Sequence, residues 1–234
     1  MRQSRTLRLV VPAIGLLAVA VALTPAGHMI VAPAAGGQSG RALLLDPDAR
    51  EFSRPATPVS VVRLDTSKGA IDIEVTRQWA PRGADRFVAL ARHGYYDGAR
   101  FFRITAGRWA QFGINGDPSV ASTWRTRTLP DDPFMQSNVR GTVAFAFAVP
   151  HGRTTQVFIN LTDNSPTHDK EPFTPFGQVI AGMNAADALN GEHGEGPGGI
   201  RAGKQDSFFA GGNTWLLRQF PGLDVIRRAS VLVR

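Results

Sequence analysis

The sequence predicts a mostly β protein, an eight-stranded closed antiparallel β-barrel with two or three capping helices. Three features carry that expectation. Short apolar segments recur from Val59 to the C-terminus, several alternating with polar residues at the period of two that marks a half-buried strand. The 25 glycines and 16 prolines supply more turns than a helical bundle needs. Only a few stretches show helical spacing, and many short strands with few helices close most simply into a barrel.

In chain order, segments 60–65 and 70–75 flank a Thr66-Ser67-Lys68-Gly69 turn, and Ile71, Ile73 and Val75 alternate with Asp72 and Glu74, so the pair reads as a hairpin. Pro81 opens a helix at a favoured first-turn position, Ala84, Phe87, Val88 and Ala91 form its apolar face, and Gly94 ends it. Segments 101–104, 143–147, 157–161 and 176–180 are further strands. Residues 184–190 form a short helix ended by Gly191, residues 213–220 another stopped by Pro221, and 229–233 a closing alternating strand. No internal repeat is evident.

The first 40 residues carry Arg2, Arg5 and Arg8 as their only charges, followed by an apolar run from Leu9 to Leu23. A positive start before about 15 apolar residues is the pattern of a secretory signal and is short for a membrane span. The expected organisation is a signal peptide or N-terminal anchor over residues 1–35, a linker over 36–57 and one folded domain over 58–234. The expected destination is export, periplasmic or secreted, with the N-terminal segment cleaved or retained as a membrane anchor. Without the three early arginines the net charge of +7 falls to +4, and the remaining cations are scattered among acids. Nucleic acid is therefore not an expected partner. With no cysteine, disulfides, thiolate metal sites and a cysteine nucleophile are excluded.

Other signals point away from function. The run Gly194-Glu195-Gly196-Pro197-Gly198-Gly199 formally fits a dinucleotide fingerprint, but it neither follows a strand nor opens a helix and reads as a loop. His28, His93, His151, His168 and His193 lack metal-ligand spacing, no GxSxG elbow exists, and no metal or cofactor is expected. Asn160-Leu161-Thr162 fits a glycosylation sequon but lies in an apolar strand, where packing is its expected role.

The densest pattern lies between Tyr95 and Met183. It comprises Gly94-Tyr95-Tyr96-Asp97-Gly98, Phe101-Phe102-Arg103-Ile104, Gln111-Phe112-Gly113-Ile114-Asn115-Gly116, Gly141-Thr142-Val143-Ala144-Phe145-Ala146, Gln156-Val157-Phe158-Ile159-Asn160 and Phe176-Gly177-Gln178-Val179. In order and spacing these blocks closely resemble the cyclophilin family of peptidyl-prolyl cis-trans isomerases, over residues 59–183, with a divergent tail. The resemblance implies a cyclophilin-like barrel that binds proline-containing polypeptides and accelerates rotation about X-Pro bonds. It places Arg103 as the catalytic arginine and Gln111 as its glutamine partner. Phe102, Trp109, Ala146, Gln156, Phe158 and Phe173 then line the substrate groove. A monomer is expected.

Those residue types suit the chemistry. Amide resonance sets a barrier of about 18–20 kcal/mol to rotation, and no bond is broken, so the enzyme has only to favour the twisted amide over both planar forms. In the twisted state the proline nitrogen regains a lone pair, to which a guanidinium can donate a hydrogen bond. The sequence also departs from the family. Arg108 and Trp109 stand where an aromatic and an aliphatic residue are usual, and the tryptophan of drug-binding members is replaced near Thr167, so weak cyclosporin binding is expected. These departures motivate an alternative on the same barrel, a non-catalytic proline-peptide-binding or chaperone module.

Overall fold

The computed structural model describes residues 21–23, 29–31, 38–198 and 205–233. Most of the expected signal segment lies outside the described residues. Ten antiparallel strands run through one sheet: β1 (Val21–Leu23), β2 (Met29–Val31), β3 (Val59–Thr66), β4 (Gly69–Thr76), β5 (Arg103–Thr105), β6 (Trp109–Phe112), β7 (Thr142–Phe145), β8 (Val157–Asn160), β9 (Pro175–Ala181) and β10 (Ile226–Val233). Their order is β1-β2-β10-β3-β4-β9-β7-β8-β6-β5. The eight strands β3–β10 curl into a half-barrel around the core, and two three-residue strands extend the edge beside β10. Among the described residues no helix is long and apolar enough to cross a membrane.

The expected hairpin forms in full register, with Val62 opposite Ile73 and Leu64 opposite Ile71. On β4 the buried positions are the alternating apolar ones, Ile71, Ile73 and Val75, as a period of two requires. On β3 Ser60, Val62, Leu64 and Thr66 alternate inward and Val61 is buried as well. Helix α2 (Pro81–Arg92) presents Ala84, Phe87, Val88 and Ala91 inward, and the Phe87 ring lies 4.8 Å from that of Phe176 on β9. Burying each such ring contributes roughly 1.5–3 kcal/mol.

The barrel is open, where closure was expected. Between its two ends the described residues make an isolated bridge, Arg100 to Val225, and no ladder. Hydrogen bonds from Phe101 N to Asp224 O (3.0 Å) and from Ile226 N to Ala99 O (2.9 Å) hold this seam. Beyond the bridge the neighbouring groups face other partners. Val225 O accepts from Ser67 N and Val225 N donates to Ser67 Oγ, while Ile104 N on β5 donates to Gly194 O in a loop.

Helices are also more numerous than expected: α1 (Gln38–Leu44), α2, α3 (Pro118–Arg125), α4 (Ser165–His168), α5 (Met183–Asp187) and α6 (Gln205–Gln219). The α6 helix starts eight residues before the expected 213 and changes direction at Gly212. The stretch expected as a linker holds α1 and a 3-10 turn, Arg50–Phe52, and packs on the domain. Trp124 Nε1 donates to Leu44 O at 2.8 Å, and the Phe52 and Trp124 rings lie 4.8 Å apart.

Candidate active site

A row of side chains crosses four strands on the outer face of the sheet. Arg103 on β5 lies opposite Gln111 on β6, Gln111 opposite Phe158 on β8, and Phe158 opposite Ala144 on β7. Side chains alternate along each strand, so their neighbours Phe112, Val157 and Phe145 fall on the other face, in the core. A three-residue loop sets the β5–β6 register: Arg108 N donates to Thr105 O at 2.8 Å, and Gly107 takes φ 68°. Gly107 is the third residue of that turn, where glycine adopts a positive φ without steric cost.

Over this row lies a groove of about 410 Å³, lined by Arg103, Trp109, Gln111, Ala146, Phe158 and Phe173, with His168, Glu171, Glu195, Phe147 and Ala148 completing its walls. Its floor is apolar: Ala144, Ala146 and Phe158 form a separate cluster against which Trp109 and Phe173 pack. The Phe158 and Phe173 rings meet edge to face at 5.5 Å, and His168 lies 5.0 Å from Phe173 and 5.4 Å from Phe158. Burial lowers the pKa of His168, and the nearby Arg108 and Arg103 act in the same direction. A neutral imidazole therefore serves here as part of the apolar wall.

A polar chain runs along one side. Arg103 Nη1 donates to Gln111 Oε1 at 3.0 Å, and Gln111 Nε2 donates to Gln156 Oε1 at 2.8 Å. Gln156 in turn donates to Gln205 Oε1 at 3.2 Å. Gln111 is 1% exposed, so an unpaired amide there would be costly, and both ends of the amide are satisfied. Gln156 lines an adjoining depression of about 150 Å³ with Arg125, Gln205 and Phe209, beside the main groove.

Of the residues expected at the site, Arg103, Gln111, Trp109, Ala146, Phe158 and Phe173 converge on the groove. Phe102 does not. It is fully buried beneath α6, 5.6 Å from the Phe208 ring, because it precedes Arg103 by one residue and points to the opposite face. Arg108, which motivated the non-catalytic alternative, does not line the groove; its guanidinium lies over the Trp109 ring at 5.1 Å. Trp109 carries Arg103 at 5.4 Å as well. The Thr167 hydroxyl turns back to Asn164 O and is not part of the groove wall. His168, Glu171 and Glu195 line the site without having been expected there.

A fixed cation beside an apolar pocket, with amide groups along the rim, is the equipment of a protein that grips a polypeptide by an apolar ring and donates hydrogen bonds to its backbone. The comparisons with known proteins narrow this class. The family model described as "Cyclophilin type peptidyl-prolyl cis-trans isomerase/CLD" matches residues 61–202. The chain is 33% identical over 144 residues to the peptidyl-prolyl cis-trans isomerase cyp18 of Streptomyces antibioticus, covering 57% of this chain and 84% of that one. It is 32% identical over 140 residues to the peptidyl-prolyl cis-trans isomerase A of Dickeya dadantii, covering 58% and 73%. Among solved structures, the cyclophilin-type isomerase of Cryptosporidium parvum superposes with a TM-score of 0.55 at 17% identity, covering 75% of this chain and 99% of that one. The chain belongs to the cyclophilin-type peptidyl-prolyl cis-trans isomerase family, and its activity is peptidyl-prolyl cis-trans isomerisation.

Proposed function

We propose that the groove accelerates X-Pro rotation in exported proteins, with Arg103 stabilising the twisted amide. The observation that carries this reading is the single register row that sets Arg103 beside Gln111 and both above the Phe158 pocket. The proline ring occupies the apolar floor formed by Phe158, Ala146, Trp109 and Phe173. Gln111 holds the substrate backbone and one Arg103 nitrogen. As the bond twists, the proline nitrogen loses conjugation and gains a lone pair, and a guanidinium N–H becomes a better partner to it than to either planar form. A donor fixed in advance and aimed at the transition state contributes a few kcal/mol. The C. parvum relative was also solved in the presence of the dipeptide Ala-Pro, and that structure superposes on this chain with a TM-score of 0.53.

Export rests on the arginine-led apolar segment at residues 2–23. The protein then works outside the cytoplasm, periplasmic or secreted, as a monomer, either freed from that segment or anchored by it. Proline-limited refolding of a model substrate tests the enzymatic part. Wild type accelerates the slow phase and Arg103→Ala does not; equal acceleration by both would remove Arg103 from the mechanism. Fractionation of expressing cells tests the rest, and recovery of the protein only in the cytoplasm would contradict export.

A further inference from the structure

Arg103 has a second partner, which lies outside the motif blocks. Glu195, in the glycine-rich turn after α5, accepts from Arg103 Nη2 at 2.8 Å and from Thr105 Oγ1 at 3.3 Å, both on Oε1. Arg103 and Thr105 are two residues apart on β5 and share a face, so one carboxylate oxygen bridges them. The turn is held in place to do this. Ile104, between the two, donates its N–H off the free edge of β5 to Gly194 O at 3.1 Å, which sets the next residue beside Arg103. Gly194 takes φ 53°, a left-handed conformation that glycine adopts without steric cost. Upstream, Asn190 N donates to the buried Asp224 at 2.6 Å, and His193 Nε2 lies 2.7 Å from Pro221 O. Downstream, Gly198 O accepts from Gln205 at 2.7 Å. Two loose surface chains would gain little from pairing. Here the backbone is tied on both sides, and the Arg103 side chain is 16% exposed.

We propose that Glu195 is a positioning residue for the isomerase reaction, pinning the Arg103 guanidinium so that its remaining donors face the bound proline. A guanidinium carries five N–H donors in a rigid planar fork. Gln111 holds Nη1 and Glu195 holds Nη2. Two anchors on two nitrogens fix the plane of the fork and leave a second hydrogen on each for the substrate. The donors are then already ordered when the amide twists, which is how preorganisation lowers a barrier. The opposite arrangement is an inhibitory contact, in which the carboxylate occupies donors that the substrate needs, and the two predict changes of opposite sign.

The assignment rests on Arg103 as the acting group, and the test separates the two claims. The full chain is assayed on an X-Pro peptide as wild type, Glu195→Ala and Glu195→Gln, each with Arg103 present and in an Arg103→Ala background. With Arg103 present, Glu195→Ala lowers kcat roughly tenfold at nearly constant KM. Glu195→Gln loses less, because its amide oxygen still accepts from Nη2. Neither variant loses anything further in the Arg103→Ala background. In 15N NMR the slow rotation of the Arg103 guanidinium disappears in Glu195→Ala. Where Glu195→Ala fails to fold, Glu195→Gln and the NMR readout make the same comparison. Unchanged kcat in Glu195→Ala overturns the proposal, and raised kcat replaces it with inhibition. A further loss without Arg103 also overturns it, since Glu195 would then act by another route. Full activity in Arg103→Ala alone defeats the reading of Arg103 and this proposal with it.

Discussion

Arg103 and Gln111 face each other across the β5–β6 ladder, with Nη1 donating to Oε1 at 3.0 Å. The glutamine is almost wholly buried, so it acts as a fixed acceptor rather than a mobile surface amide. Replacing it with alanine frees Nη1 and removes the shorter of the two hydrogen bonds that Gln156 Oε1 accepts, leaving the one from Gln205 Nε2 at 3.4 Å. Gln111→Ala is expected to lower kcat/KM on an X-Pro peptide by roughly tenfold to a hundredfold, the scale set by misplacing a catalytic group, while the folded state persists in far-UV circular dichroism. An unchanged kcat/KM would show that the pairing has no part in the reaction.

Phe102 tests the assignment of faces. It packs with Ile114, Phe208 and Leu216 in a core beneath α6, on the side away from the groove. Phe102→Ala is expected to destabilise the protein by about 3–5 kcal/mol, the usual cost of emptying a buried phenylalanine site. Denaturant titration reads this directly, and KM at a temperature where the variant is folded should stay near the wild-type value. A raised KM with unchanged stability would place Phe102 in the groove after all.

His168 gives the groove a pH dependence. Its pKa lies below the usual histidine value of about 6.5, because burial among Trp109, Phe158 and Phe173 disfavours the cation. Arg108 and Arg103 lower it further, whereas a hydrogen bond with the Asn164 backbone and the charge of Asp169 oppose the shift. Below about pH 6.5 the unfolded chain binds this proton more readily than the folded one, so stability falls as the pH drops from there through the folded pKa. Above that value the histidine costs no stability. Proline-peptide binding should weaken over the same range, because the protonated ring adds a cation to an apolar wall. An NMR titration of the His168 ring should give a midpoint below 6.5, and a midpoint at or above it would contradict the account.

The sequence made the β3–β4 hairpin and α2 legible because each carries a full period of its pattern, Ile71/Ile73/Val75 in one and Ala84/Phe87/Val88/Ala91 in the other. Helix α3 was missed although its signals are present: Asp117 caps it, accepting from Ser119 N at 2.9 Å, and Pro118 occupies its first turn. Phe102 was misplaced by adjacency to Arg103, where the period of two already sends neighbours to opposite faces. Closure of the barrel was not legible, since it depends on tertiary pairing: among the described residues the segments leading into β5 and β10 meet in one isolated bridge, and Ile104 N on the edge of β5 bonds to Gly194 O in a loop. Glu195 meets Arg103 across 92 positions of sequence, and the glycine-rich context around it reads locally as an ordinary loop.

In the proposed mechanism Arg103 lowers the barrier to X-Pro rotation. Exchange spectroscopy by NMR on a proline peptide, which resolves cis and trans signals separately, measures that rotation without a coupled reaction. Wild type should produce strong exchange between the two signals at catalytic enzyme concentration. Loss of a donor contributing a few kcal/mol, at about 1.36 kcal/mol per factor of ten, should cut the rate in Arg103→Ala by roughly a hundredfold or more while the peptide still binds. Equal exchange with both proteins would contradict the account.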